Sequence, residues 1–422
     1  MSLAMRDRLI VWWNTGIAGE LTIDRGGAMH FAYAPAWLAD VAAPPLSQAL
    51  PKRAEPYPDA ACKAVFAGLL PEEGQRTAVA AALGVSPDNP FRLLEALGGD
   101  VAGALAFLPP GEAPPVPDLA HSAQVLDEAE LARLLERLPR VPMLAGEGGA
   151  RLSLAGAQAK LPVVLVDDQI AVPRSGEPST HLIKPEPSRF PGLAANEAFC
   201  LSLAGAVGLD AARGQWREVQ GKALLLVERY DRKTGQGGTL RLHQEDFAQA
   251  LGVPSHRKYA VEGGPTFRDA FALLRSAATR PAREVLKLAD AALFNLIIGN
   301  ADAHAKNFSL LRGAGDQVVL APLYDLVATR EWDELSPRLA MRFGGAAKLE
   351  KIDADSFTRF AADAGLSAPY LRRRAVALSH AVEAALEEGV GVPGLSRGST
   401  PALAKATAER AGRLALKAGS KR

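Results

Sequence analysis

The chain has 422 residues, a length that predicts two or three structural units at roughly 150 residues per domain. Its 48 Lys and Arg residues nearly balance 47 Asp and Glu residues, for a formal net charge of +1, so the protein as a whole is not expected to coat nucleic acid or anionic lipid. Hydrophobic residues (48%) and charged residues (23%) occur in the proportions of a folded protein, which excludes disordered, collagen-like and disulfide-scaffold classes.

Cysteine spacing and hydropathy predict a cytoplasmic protein with no membrane partner. The two cysteines, Cys62 and Cys200, form no CxxC pair, which is typical of a reducing compartment. The N-terminus has no apolar signal segment, and no apolar run approaches the ~20 residues of a membrane span. Met5 is a candidate natural start, in which case Met1–Ala4 would be an added leader.

The first hundred residues are predicted to form a small mixed unit. Apolar alternation and helical spacing predict strands over Leu9–Trp13, Gly16–Ile23 and Met29–Tyr33 and helices over Ala60–Leu70 and Gly74–Leu83. The proline-rich stretch 109–117 is the clearest linker. An amphipathic helix, marked by leucines between Leu131 and Leu138, follows it.

The middle of the chain is predicted to be rich in strands. Expected are strands over Lys160–Val166, Ile170–Val172, Thr180–Lys184 and Lys222–Arg229 and a helix over Ala194–Val207. The polar, glycine-rich stretch Arg232–Gly238 is expected to interrupt regular structure. Helical patterns dominate after Phe247. We therefore divide the chain into residues 5–110, 111–232 and 233–422.

The most informative segment follows the apolar helix predicted over Ala291–Ile298. Its loop, 299–307, contains Asp302 and Asn307, and Asp325 follows after a predicted hairpin with strands Phe308–Leu311 and Gln317–Leu320. Kinase-type phosphoryl transfer needs one carboxylate to accept the hydroxyl proton, and an Asn and a second Asp to hold Mg²⁺. This pattern predicts a base, Asp302, and two metal ligands, Asn307 and Asp325. Lys306 could screen the transferring group.

Upstream segments supply candidates for the other parts of a kinase. Lys184 ends a predicted strand and Glu197 lies early in the next helix, as in the strand-lysine and helix-glutamate pair of kinases. The small residues of Ser153–Lys160 would let backbone N–H groups approach phosphate. Val227–Tyr230, which leaves a buried strand, suits a hinge. Taken singly, each of these segments could also be an ordinary loop or strand end.

Taken together, these residues resemble the HipA family of serine/threonine kinase toxins of type II toxin–antitoxin systems. In the kinase part the resemblance rests on Ser153–Lys160, Thr180–Lys184, Asn196-Glu197, Val227–Arg232, Gln244–Asp246, Leu251-Gly252, Asp302–Asn307 and Tyr324-Asp325. The N-terminal unit resembles the family's accessory domain in Pro45–Ser47, Leu50-Pro51, Leu69–Pro71, Leu97–Asp100 and Ala102–Ala104. The motifs keep the family's order over nearly the whole chain.

The resemblance implies an α+β, two-lobed, diverged protein-kinase-like fold: an N-terminal accessory subdomain, a β-rich N-lobe and a mainly helical C-lobe. It implies ATP and Mg²⁺ as cofactors, Asp302 as proton acceptor, and Asn307 and Asp325 as metal ligands. The residues it implies around the nucleotide are Ala155, Gly156, Ala157, Gln158, Ala159, Lys160, Lys184, Glu228, Arg229, Tyr230, His304, Ala305, Lys306, Asn307, Tyr324 and Asp325. It also implies Ser153 as an autophosphorylation site, where added negative charge would repel the nucleotide's phosphates and switch the kinase off.

Partners are implied by the same resemblance. The family toxin pairs with a small HipB-like helix-turn-helix antitoxin, touches operator DNA only within that complex, and phosphorylates an aminoacyl-tRNA synthetase, glutamyl-tRNA synthetase, to arrest growth. Ala159 stands where the family often has Glu, and Ala303 where Gly or a polar residue is common; neither change removes a ligand or base. Arg372–Arg374 and the tail residues Lys417 and Lys421-Arg422 are candidate basic patches, although solvated helix faces are the favoured interpretation.

Two alternative functions stay open at this stage. A kinase-like phosphotransferase acting on a small molecule would use the same Asp302, Asn307 and Asp325 set. A co-repressor subunit without turnover would not need them. A serine hydrolase is rejected because the GxSxG match at Gly394–Gly398 has no histidine after it, and a zinc hydrolase because the seven histidines are scattered.

Overall fold

The computed structural model describes residues 7–115, 123–145, 152–156, 158–174, 176–235 and 238–419. The chain divides into two compact units. The first unit runs from the N-terminus to Pro185 and adds Glu218–Lys222 and Glu228–His256, while the second holds Glu186–Arg217, Ala223–Val227 and Arg257–Arg422. The three-part division at residues 110 and 232 stays a prediction.

An antiparallel sheet with helices forms the N-terminal part of the first unit. Its elements are β1 Arg8–Trp13, β2 Gly16–Ile23, β3 Met29–Tyr33, α1 Pro35–Ala39, α2 Asp59–Phe66, α3 Glu73–Leu83, α4 Pro90–Leu97 and β4 Leu105–Leu108. The strand order is β3-β2-β1-β4. Alternate strand residues point inward, so Phe31 and Phe107 are fully buried with Phe66 and Phe91 from the helices. The predicted strands are confirmed; the helix predicted over Ala60–Leu70 ends at Phe66 and continues as a 3-10 turn.

Strands also dominate the middle of the chain. The elements are β5 Gln124–Val125, α5 Glu128–Arg137, β6 Leu161–Val166, β7 Gln169–Val172, β8 His181–Pro185, α6 Leu193–Ala206, β9 Gly214–Val219, β10 Lys222–Glu228, β11 Arg232–Gly235, β12 Gly238–Arg241, β13 His243–Asp246 and α7 Phe247–Ala250. Strands β5, β7, β6 and β8 are successive neighbours, as are β9 and β10.

The interruption predicted over Arg232–Gly238 is wrong. Strands β11 and β12 pair antiparallel across this stretch, with Arg232 opposite Arg241 and Thr234 opposite Thr239. Polar side chains suggested a loop, but both arginines are buried against acidic side chains of the first unit, so the hairpin has a buried anchor that composition does not reveal.

Helices form most of the second unit after residue 257. The elements are α8 Phe267–Ala277, α9 Pro281–Ile298, β14 Ser309–Arg312, β15 Val318–Leu320, β16 Arg338–Phe343, β17 Ala346–Lys348, α10 Ala354–Ala364, α11 Ala368–Glu388 and α12 Pro401–Gly419. Strands β14 and β15 form the predicted hairpin. Short 3-10 turns in the chain include Ala305–Asn307 and Thr329–Glu331. No helix among the described residues is long and apolar enough to cross a membrane.

An aromatic cluster joins α8, α10 and β16. The Phe360 ring stacks on Phe343 at 4.1 Å between centroids and meets the edges of Phe267 at 5.1 Å and Phe271 at 5.5 Å. Phe360 is 0% exposed, so its ring stabilises the unit through buried apolar surface and through contacts with three other rings. Phe360 is therefore the central packing residue of this cluster.

We expect Phe360→Ala to lower the free energy of unfolding of the second unit by about 3–5 kcal/mol, because it removes buried aromatic surface and leaves a cavity. Thr358→Ala, an exposed change on the same helix, is the matched control and should stay within about 0.5 kcal/mol of the parent. Chemical denaturation of the purified chain measures both. Equal midpoints for the two variants would contradict the central role of Phe360.

Candidate active site

The candidate catalytic loop begins where α9 ends. Gly299 caps this helix with a φ of 77°, a left-handed conformation that glycine adopts without strain. A β-carbon here would lie 2.8 Å from the Arg410 guanidinium, which donates to the Ile298 carbonyl. The backbone turn therefore favours glycine at this position, and the Arg410 side chain packs close to it.

Asn300 organises the loop from inside. Its side-chain carbonyl accepts the Asp302 N–H at 3.0 Å, and its amide donates to the Asn295 side chain at 2.8 Å and to the Asp325 carbonyl at 3.5 Å. Asn300 is only 4% exposed, whereas Asp302 is exposed. One buried amide therefore connects the backbones of the candidate base and of a candidate metal ligand. Sequence reasoning missed Asn300, although its place two residues before Asp302 is a usable signal.

The two candidate metal ligands are in contact. The Asn307 amide donates to the Asp325 carboxylate at 3.2 Å, and its side-chain oxygen accepts the His304 N–H at 3.2 Å. Asp325 has a φ of 51°, a conformation costly for a residue with a side chain and often found at functional sites. Carboxylate and amide oxygens are the hard ligands that Mg²⁺ prefers, and it commonly takes only one or two carboxylates from protein. This donor pair fits the metal.

Tyr324 holds the hairpin against the loop. Its hydroxyl lies 2.7 Å from the Ser309 hydroxyl and donates to the Lys306 carbonyl at 2.7 Å. His304 is largely buried, with its ring against the edge of Tyr259 at 5.4 Å. The second unit thus brings Asp302, His304–Asn307, Tyr324 and Asp325 into one local arrangement, as the sequence predicted; which of them contact the nucleotide stays a prediction.

Helix α6 is attached to the segment after Asp325. The Asn196 side chain accepts the Ala328 N–H at 2.8 Å and donates to the Ala328 carbonyl at 3.4 Å. The sequence indicates Asn196 only as part of the Asn196-Glu197 motif, and this two-way backbone contact gives it a positioning role. Glu197, next to it, is 2% exposed, and Lys184 at the end of β8 is 4% exposed. The pairing of Lys184 with Glu197 stays a prediction.

The candidate phosphate loop is anchored within the first unit. The Lys160 ammonium donates to the Ala155 carbonyl at 2.8 Å, so it reaches back over the loop. Gly156 has a φ of 118°, a backbone conformation that residues with a side chain rarely adopt, which explains the need for glycine. Gln158 and Ala159 follow, while Ala157 lies outside the described residues.

Ser153 is fully buried. Its hydroxyl donates to the Leu69 carbonyl at 3.0 Å, and its N–H donates to the Asp100 carbonyl at 3.0 Å. Both partners belong to the N-terminal part of the chain. The predicted phosphorylation site is therefore held by the accessory subdomain, a connection that the sequence did not suggest.

The three residues of the candidate hinge, Glu228–Tyr230, differ in their exposure and hydrogen bonding. Glu228 is exposed, and the Tyr230 hydroxyl donates to Gln244. The Arg229 side chain is committed to buried hydrogen bonds with Asp231 and Ser179, at 2.8 Å each, and its N–H donates to the Thr180 carbonyl at 2.9 Å. A nucleotide-lining role for these three residues stays a prediction.

The basic patches are partly used within the fold. Arg374 makes a two-point contact with Asp290 at 2.6 and 2.9 Å, and Arg372 donates to the Ala354 carbonyl at 2.8 Å. Lys417 donates to the carbonyls of Leu349 and Glu350, both at 3.2 Å. Lys421-Arg422 lies outside the described residues, as does Met1–Ala4. These contacts give Arg372 and Arg374 a packing role within the fold, while Arg373 is exposed.

Two family models match the chain: the HipA N-terminal domain at residues 9–108 and the HipA-like C-terminal domain at residues 152–387. The chain belongs to the HipA family of serine/threonine kinase toxins. The family resemblance and the α+β kinase-like fold inferred from the sequence are thereby confirmed.

Individual relatives show the extent of the similarity. A putative kinase, Y4mE, of Sinorhizobium fredii is 54% identical over 372 residues, which is 87% of this chain and 88% of that protein. The serine/threonine-protein kinase toxin HipA of Shewanella oneidensis is 32% identical over 286 residues, 65% of this chain and 64% of that protein. A solved complex of Shewanella oneidensis HipA with HipB and operator DNA matches with a TM-score of 0.81 at 27% identity, covering 97% of this chain and 96% of that one.

A metal ion at the HipA-type site would depend on the Asn307 oxygen. Among the residues that the structure describes, no group of three or more His, Cys, Asp or Glu side chains could hold a metal ion. The Asn307 amide, whose group also carries an oxygen, is a side-chain partner of Asp325 at this site. The protein would therefore supply only a few of the metal's ligands, as is usual for Mg²⁺.

We expect Asn300→Ala to lower the free energy of unfolding of the second unit by about 1–3 kcal/mol, because buried polar partners are left unsatisfied. Gln317→Ala, an exposed amide in the same unit, is the control and should change it by less than about 0.5 kcal/mol. Denaturation curves compare the two. A parent-like curve for Asn300→Ala would remove its positioning role.

Proposed function

We propose that this chain is an ATP- and Mg²⁺-dependent serine/threonine protein kinase acting in the cytoplasm as the toxin of a HipBA-like module. The observation that carries the proposal is the contact of Asn307 with Asp325 at 3.2 Å beside a loop that presents Asp302 to solvent. The kinase names of the relatives with 54% and 32% identity support the same reaction class.

The chemical step assigns a role to each group in the loop. The substrate hydroxyl oxygen forms a bond to the γ-phosphorus, the bond from that phosphorus to the bridging oxygen breaks, and ADP leaves. Asp302 accepts the hydroxyl proton, because its exposed carboxylate extends from a backbone held by Asn300. Lys306 screens the transferred group. Asn307 and Asp325 would hold Mg²⁺, which when bound neutralises phosphate charge.

The proposal extends to self-inactivation and partners. We infer that Ser153 is the self-phosphorylated residue and that a HipB-like helix-turn-helix antitoxin inhibits the kinase, with operator DNA bound only within that complex. The solved relative, which was crystallised as a HipA, HipB and operator DNA complex, supports this assembly. We further propose a translation factor as the target, such as an aminoacyl-tRNA synthetase (glutamyl-tRNA synthetase in the family), whose phosphorylation arrests growth.

Purified protein incubated with Mg²⁺ and labelled ATP is expected to phosphorylate itself on Ser153. Asp302→Asn should reduce the rate about 10²–10⁴-fold, because a positioned base is lost. Asp316→Asn, an exposed acid paired with Arg312 in the same unit, is the control and should retain the rate. Phosphopeptide mapping reads the result. Label that persists in Asp302→Asn, or that moves elsewhere in Ser153→Ala, would contradict the assignment.

Expression of the chain is expected to arrest growth, and Asp325→Ala should relieve the arrest because a metal ligand is lost. Asp316→Asn again serves as the control and should stay toxic. Phosphoproteomics after induction would identify the target directly. Equal toxicity of the parent and Asp325→Ala would separate growth arrest from phosphoryl transfer and favour a co-repressor. Label found only on a metabolite would favour a small-molecule phosphotransferase.

A further inference from the structure

Asp100 links the phosphate loop to the accessory subdomain through its backbone. It lies three residues after the end of α4, and its carbonyl accepts the Ser153 N–H at 3.0 Å. Asp100 and Leu152 form a parallel bridge. The loop is held a second time by residues 69–72, since Ser153 donates to the Leu69 carbonyl and the Glu72 N–H donates to the Gly156 carbonyl at 3.1 Å.

The Asp100 side chain is held in a buried cluster, which fixes its backbone. Its carboxylate is 0% exposed and accepts hydrogen bonds from the Ser179 hydroxyl at 2.7 Å, Arg232 at 2.8 Å, and Arg229 and Arg241 at 3.3 Å each. Burial by itself raises the pKa of the Asp100 carboxyl, but the guanidiniums of Arg232, Arg229 and Arg241 hold it well below its usual range. Asp100 is therefore ionised and has its partners on several sides.

Asp231 completes the cluster. Its carboxylate accepts the Gly103 N–H at 2.7 Å and contacts Arg229 and Arg232 at 2.8 Å each. Three guanidiniums thus share two buried carboxylates. Removing one carboxylate would leave cations buried without a counter-charge, which is strongly unfavourable, so the cluster behaves as a unit. Asp100 follows α4, Ser179 lies two residues before β8, Arg229 and Asp231 follow β10, and Arg232 and Arg241 lie in the β11–β12 hairpin.

Ser153 cannot receive a phosphoryl group in this arrangement, because its hydroxyl is fully buried on the Leu69 carbonyl. The loop must first leave Leu69 and Asp100. We propose that Asp100 is a positioning residue whose charge cluster acts as a latch: it keeps the phosphate loop seated with Ser153 hidden, and its opening limits access to Ser153. The regulatory meaning rests on the proposed function, while the latch itself is a property of the fold.

Thiol labelling tests the latch without any turnover. Ser153→Cys places a reactive thiol where the loop contacts Leu69 and Asp100. The two native thiols, Cys62 and Cys200, are both 0% exposed, so their labelling reports general unfolding. Adding Asp100→Asn to Ser153→Cys is expected to speed maleimide labelling at position 153 by about tenfold or more, because hydrogen bonds to a charged group are lost. Peptide mass spectrometry should find labelling at Cys62 and Cys200 unchanged.

Two further variants keep the test decisive. Asp290→Asn, which breaks the contact with Arg374 in the second unit, is the matched control and should leave labelling at position 153 unchanged. If Asp100→Asn does not fold, Ser179→Ala removes the 2.7 Å hydrogen bond to Asp100 and the 2.8 Å hydrogen bond from Arg229 but keeps both carboxylates, and it is expected to speed labelling about two- to tenfold.

The latch is overturned if Asp100→Asn and Ser179→Ala both leave labelling at position 153 at the rate of Ser153→Cys alone, or if labelling of Cys62 accelerates in parallel, which would mean general loosening of the unit. Its failure is separable from failure of the proposed function. If the Ser153→Cys variants label as expected but the parent chain transfers no phosphate, the latch is kept and the kinase assignment is lost. If the parent chain phosphorylates Ser153 but Asp100→Asn does not change labelling of Ser153→Cys, the latch alone is lost.

Discussion

A carboxylate that is removed from water needs counter-charges inside the protein. In the first unit the Asp100 carboxylate is fully buried and has three arginine partners. Its partners Ser179, Arg229, Arg232 and Arg241 lie 79 to 141 residues from it in the sequence. Because a buried ion tolerates little displacement, these segments hold a common position. The candidate phosphate loop shares that position, because the Ser153 N–H donates to the Asp100 carbonyl. The accessory subdomain is therefore part of the structure that shapes the candidate nucleotide-binding residues of this unit.

In the second unit, buried segments are positioned by uncharged amide side chains instead of by ion pairs. Asn196, Asn295 and Asn300 are 4–5% exposed, and their side chains bond to backbone groups or to one another. Amides satisfy buried backbone N–H and C=O groups without the desolvation cost of a charge. The charged residues Asp302 and Asp325 can thus remain at least partly accessible for chemistry while uncharged amides position their backbones.

Much of the fold was predictable because its strands and helices have strong local patterns. The strands Gly16–Ile23 and Met29–Tyr33 have the predicted bounds, and the helix before Gly208 ends one residue before its predicted end. The hairpin after Arg232 was not predictable, since its polar and glycine-rich composition resembles a loop and its stability comes from burial of Arg232 and Arg241. Arg229 shows the same limit: it was interpreted from its place after a strand, whereas its guanidinium serves the cluster.

The sequence by itself determined which side chains are available for chemistry at the candidate site, and it predicted their roles. Asp302, Asn307 and Asp325 were identified from their types and spacing, because a loop and the hairpin behind it restrict where such neighbours can lie. Only the tertiary structure decided that Asn307 touches Asp325, that Asn300 connects both backbones, and that Ser153 is buried on Leu69. Such contacts depend on which distant segments exclude water together, and the strength of a polar contact rises with that exclusion. No local sequence pattern encodes which distant segments come together in this way.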